Sequence, residues 1–119
     1  MIRTALALSF ALSGAAVAQE AVNIGTGAVL RGLDKVGGDV VDLKLKNGES
    51  ATLGRLTVRL GECRYPEGDP AADAFAFVAV EEKGRTDPVF QGWMVGSSPA
   101  LNAMEHARYD VWVLRCTIE

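Results

Sequence analysis

The chain has no C-x-x-C pair, only one histidine, no run of basic residues and no G-x-S-x-G element. Without C-x-x-C there is no paired dithiol of the kind redox proteins use. A single histidine with two cysteines far apart is a poor donor set for a transition metal, which favours clustered His and Cys ligands. Without a basic run the chain cannot neutralise successive phosphates, the main source of nucleic-acid affinity. Its 15 acidic and 12 basic residues give a net charge of −3, which also disfavours anionic lipid. No apolar stretch reaches the roughly 20 residues of a membrane span. No cofactor-binding motif or internal repeat is present, so no cofactor is expected and one domain accounts for the length.

What is present starts at the N-terminus. Arg3 is the only charge before Glu20, and residues 5–18 are almost wholly apolar, ending in Ala16-Val17-Ala18. A basic start, a short apolar core and a small-x-small ending are the layout of a secretory signal peptide. The expectation is cleavage after Ala18 and a periplasmic or secreted mature chain. Losing Arg3 with residues 1–18 takes the net charge from −3 to −4. No cysteine follows the leader directly, so a lipid anchor is not indicated.

Cys63 and Cys116 are the only cysteines. In an oxidising compartment, an isolated pair far apart in sequence is most simply a structural disulfide. The loop it closes, about fifty residues, corresponds to roughly 4 kcal/mol in the chain-entropy description.

The small, polar stretch 19–27 reads as a flexible lead-in to a single domain over 28–119. From there the dominant period is two, the signal of strands. Candidate strands are 28–35, 39–46, 50–53, 56–62, 74–81, 88–95 and 108–117. Asn47-Gly48 marks a tight hairpin turn, since both residues tolerate positive φ. Simple alternation would turn Cys63 toward solvent, and a bulge or bend at Gly61 would re-aim it toward a partner. Residues 74–81 are apolar on both parities, as in a strand covered on both faces. Ser97-Ser98-Pro99 reads as a capped start of a short helix over 99–105. Six or seven short strands with one short helix predict a mainly all-β, antiparallel sandwich or small barrel.

The most distinctive stretch is 91–116, with Gly92-Trp93-Met94, Ser97-Ser98-Pro99-Ala100-Leu101, Glu105-His106 and residues 109–114 (YDVWVL). With residues 30–36 and 48–63 it resembles domain-of-unknown-function family 2155, small exported bacterial proteins. The resemblance covers about residues 28–116 and implies an exported domain, with no activity to carry over.

Ser97 or Ser98, His106 and Asp110 contain the parts of a nucleophilic triad. Three such residues within fourteen positions would need an unusual local fold to converge, and a serine before proline is more simply a cap. Glu105 and Asp110 add too few donors to His106 for a metal site. Glu81 and Glu82, adjacent in a strand, point to opposite faces and cannot act as a pair across a cleft. Trp112, among Val111, Val113 and Leu114, is expected in the core. Trp93, Met94, Ser97, Ser98, Pro99, Leu101 and His106 form the candidate interaction surface. The reading is a non-enzymatic envelope binding or accessory domain with a protein or cell-wall partner. A carbohydrate binder using Trp93, Tyr65 or Tyr109 is the alternative, and a hydrolase using Ser97 or Ser98 with His106 comes third.

Overall fold

The computed structural model describes residues 21–119. The leader, its cleavage after Ala18 and the first two lead-in residues lie outside the described residues. Among the described residues eight strands follow in order: β1 (Val22–Ile24), β2 (Gly27–Asp34), β3 (Val40–Lys46), β4 (Ser50–Leu53), β5 (Leu56–Pro66), β6 (Phe75–Glu82), β7 (Phe90–Val95) and β8 (Tyr109–Thr117). They form two antiparallel sheets rather than a closed barrel. The five-stranded sheet runs β1-β5-β6-β7 with β4 also on β5, and the three-stranded sheet runs β3-β2-β8.

Alternation decides which side of each strand is buried. Leu30, Leu43, Leu45, Val111 and Val113 from the small sheet share one core with Leu56, Val58, Leu60, Val78 and Val80 from the large one. The outward residues of β3, Asp42, Lys44 and Lys46, are exposed as that pattern requires. Asn47-Gly48 does turn the chain, with Gly48 alone in the left-handed region at φ +84°, but it is not a hairpin: β3 pairs with β2 and β4 with β5, so the turn carries the chain from the small sheet to the large one.

The register of β5 on β6 shifts between Leu60, opposite Val78, and Glu62, opposite Phe77. Gly61 is the extra residue of this bulge, and it inverts the parity of the rest of β5. Cys63 therefore turns inward, is 0% exposed and is joined to Cys116 on β8 by a disulfide. The bond ties the large sheet to the small one.

Other sequence expectations change as well. The eighth strand, β1, lies inside the stretch expected to be flexible; its three residues pair with Arg64, Tyr65 and Pro66, so β5 runs on to Pro66. Further bonds hold this stretch, among them those from the Gly25 amide to the Cys63 carbonyl (2.7 Å), from the Thr26 amide to the Thr117 carbonyl (2.8 Å) and from Asn47 Nδ2 to the Gly25 carbonyl (2.8 Å). The expected helix is one 3-10 turn, Pro99–Asn102, and Ser98 precedes it without a side-chain capping bond. Strand β6 is buried on one face only: Ala76, Val78 and Val80 point inward while Phe75 and Phe77 are half-buried on the outside.

Candidate functional site

The residues singled out over 92–106 do not form one patch. Met94 is 2% exposed and belongs to the core, because β7 alternation sends it inward and Trp93 outward. Trp93 lies on the outer face of the large sheet. Pro99 and Leu101 are on the exposed crossover from β7 to β8, where Leu101 is 76% exposed. Ser97 is tied back to the β6 side: its Oγ donates to Asp73 Oδ2 (2.6 Å) and its amide to Asp73 Oδ1 (2.9 Å). The Ser98 amide bonds the Val95 carbonyl at 3.2 Å, within a tight turn. His106 is half-buried at the far end of the crossover.

Around Trp93 the antiparallel register builds an aromatic surface that no single stretch of sequence contains. Glu62, Phe77 and Trp93 stand in one cross-strand row. Ile24, Arg64, Phe75 and Val95 stand in the next. Phe77 meets Trp93 edge-on at 5.4 Å between ring centres, and the Arg64 guanidinium lies 5.0 Å over the indole. Glu62 holds Arg64 through a 2.7 Å ion pair. Trp93 is still 36% exposed, and Val22 and Ile24 beside it are more so. Val22, Arg64, Phe75 and Trp93 line a shallow recess. Edge-on aromatic packing and cation–π stacking fix these rings without removing them from solvent.

Sequence reasoning finds Trp93 but misses Phe75, Phe77 and Arg64. The signal is there: an apolar residue on the outer parity of β6, beside a neighbouring strand's tryptophan, marks a patch as well as it marks a second covering layer.

A polar hub closes the other end of the sandwich. His106 Nδ1 accepts the Arg108 and Tyr109 amides at 3.0 and 3.1 Å. Its Nε2 therefore carries the proton and faces Glu82 Oε2 at 2.9 Å. That hydrogen bond holds Glu82 below its ordinary pKa despite opposing desolvation. Nearby, Asp34 Oδ1 accepts the Val36 and Gly37 amides, and Arg108 grips its carboxylate at 3.3 and 3.0 Å. The Arg108 hydrogen bonds, then the Gly37 amide, pull Asp34 from its ordinary 3.8 to about 2. A carboxylate with a depressed folded pKa stabilises the fold above its unfolded value and loses that contribution as pH falls through the folded one. Unfolding measured from pH 5 downward is expected to show stability falling between about pH 4 and pH 2. Asp34→Asn should flatten that part of the curve; an unchanged slope would place the acid sensitivity elsewhere.

The hub consumes the residues a triad would need. His106 has both ring nitrogens engaged, neither by a serine. Ser97 pairs with Asp73, and Asp110 accepts the Val111 amide at 2.9 Å. Burial alone would raise the Asp73 pKa, but its Ser97 and main-chain hydrogen bonds leave it lowered, which suits an anchored acceptor. Among the described residues no three His, Cys, Asp or Glu side chains gather as a metal site. No helix among them is long and apolar enough to cross a membrane. Tyr65 is packed partly against the core and Tyr109 is 6% exposed, so Trp93 is the one exposed ring of the three considered for sugar stacking. Trp112, expected in the core, is half-buried on the outer side of β8.

The family described as "Uncharacterized protein conserved in bacteria (DUF2155)" matches residues 28–116. An uncharacterized protein of Rickettsia prowazekii, RP359, is 31% identical over 87 residues, which cover 71% of this chain and 56% of that protein. The chain thus spans little more than half the length of that relative. No solved structure matches.

Proposed function

The chain belongs to the DUF2155 family, and from that premise we propose that it is a non-enzymatic binding or accessory domain exported to the bacterial envelope. It meets a protein partner through the outer face of its large sheet. The observation that carries this reading is the Trp93 cluster. Trp93, Phe75, Phe77, Val22 and Ile24 lie together on a solvent-facing surface where the core has no use for them. Tryptophan with a stacked arginine is the composition of interface hot spots, whose ordering is already done before a partner arrives. The apolar leader expected over residues 1–18 and the Cys63–Cys116 bridge both fit an oxidising, extracytoplasmic setting.

Trp93→Ala tests this. Its ring contacts are worth about 1 kcal/mol, so the domain should stay folded with little change in urea midpoint. In-cell cross-linking of the tagged protein should then yield a specific envelope partner that the variant fails to capture. Equal capture by both proteins would remove Trp93 from the interface. Saturable tryptophan quenching by cell-wall fragments, with no protein captured, would transfer this surface to a glycan.

A further inference from the structure

The sandwich has four open sides, and three are visibly closed to further strands. The edge formed by β1 and β4 consists of strands of only three and four residues. Strand β3 carries Asp42, Lys44 and Lys46 along its exposed edge, a common guard against edge pairing. On β7, Asn102 Nδ2 donates to the Trp93 carbonyl at 2.9 Å, and the 3-10 turn packs alongside.

Strand β8 is different. It is nine residues long, contains no proline or lysine, and among the described residues pairs only with β2. Its main chain shows which groups face outward. The Tyr109 amide goes to His106 Nδ1 and the Val111 amide to its neighbour Asp110 Oδ1. Neither reaches β2, so residues 109, 111 and 113 direct their backbone to the free edge. Two of those donors go to side chains one and three residues away in sequence, and Val113 has no such side-chain cap among the described residues. Beside the edge, Pro99, Ala100 and Ala103 face Asp110 and Trp112 across a cleft of about 350 Å3. Farther along, Asp73 and Ser97 face Leu114 and Arg115 across a second recess.

We infer that the free edge of β8 accepts an extended peptide segment of another chain as an added antiparallel strand, with a basic residue opposite Asp110 and apolar residues opposite Trp112 and Leu114. Main-chain pairing supplies the affinity in such strand addition, and alternate side chains supply the selectivity. Cross-strand neighbours of opposite charge or of aromatic and β-branched type are the favourable ones, which sets the basic-and-apolar pattern. Carbonyls of the incoming strand would take over the Val111 donor from Asp110, freeing that carboxylate for the basic side chain. The edge lies apart from the Trp93 face, so the two surfaces are tested separately.

The probe is an acetylated, amidated peptide, TVTVTKT, titrated into the oxidised, isotope-labelled protein and tracked by amide NMR. Its partner probe is N-methylated at the third and fifth residues, which removes the donors aimed at β8 while keeping every side chain. The expected result is saturable movement of the Val111, Trp112 and Val113 amide signals, with the methylated peptide binding at least about tenfold more weakly. Trp93→Ala should bind the peptide as the unaltered protein does. Equal binding of the two peptides, signals moving away from β8, or no movement at peptide concentrations on the order of 1 mM would each overturn the inference.

Discussion

Replacing Cys63 and Cys116 together by alanine is expected to lower the melting temperature by about 20 °C. The two positions are 53 residues apart, and closing a loop of that length in the unfolded chain corresponds to roughly 4 kcal/mol. For a domain of about a hundred residues, each kcal/mol moves the midpoint by about 4–8 °C. The native state loses something too. The bond is the one covalent tie between β5 of the large sheet and β8 of the small sheet, and both half-cystines are core residues. Scanning calorimetry of the oxidised protein, the protein unfolded and refolded in reductant, and the double variant would check this. The second and third should agree with each other and fall well below the first. A drop of only a few degrees would mean that sheet packing alone holds the layers in register.

The path to that bond shows what a sequence can and cannot disclose. Period-two alternation locates β2 to β8 to within a few residues, because each strand has one buried face and a one-residue slip would expose it. The same logic asks for a bulge or bend at Gly61 before Cys63, and the structure has the bulge. Trp112 is misplaced only when that logic is set aside: a residue flanked by Val111 and Val113 lies on the opposite face from both, and those two face the core. Strand β1 is hidden because Val22, Asn23 and Ile24 are all exposed, so no burial pattern marks them; only the length of β5 beyond β4 creates a place for them. The Trp93 cluster is hidden for another reason. Its members come from β1, β5, β6 and β7, and only strand order and register make them neighbours. The hub around His106 is equally invisible, since Glu82 and Asp34 lie far from it in sequence.

Two glycines at tight turns, Gly48 where the chain crosses between the sheets and Gly54 in the β4–β5 hairpin, separate the cost of a strained backbone from the cost of a blocked contact. Gly48 and Gly54 both have positive φ, +84° and +57°. A methyl group on Gly48 would meet nothing within 4 Å. Gly48→Ala should therefore cost only the left-handed penalty, about 1–2 kcal/mol. On Gly54 the same methyl group would collide with the Tyr109 hydroxyl, and with the ring carbons Cζ and Cε1 at 2.5 and 3.0 Å. Tyr109 cannot swing away freely, since it is buried in the core and its amide is held by His106, against whose ring its own ring packs at 5.4 Å. Gly54→Ala therefore adds an overpacking cost of about 1–3 kcal/mol to the backbone penalty, and should destabilise the domain by roughly 3 kcal/mol or more in urea titrations. Tyr109→Phe in the Gly54→Ala background should recover part of that loss by removing the nearest colliding atom. The His106 ring signals should shift in Gly54→Ala and stay in place in Gly48→Ala, because only the first pushes on the hub. If the two alanine variants proved equally stable, Tyr109 would have to be a mobile side chain, and the 106–109 corner could not be the rigid clasp that joins the end of β6 to the start of β8.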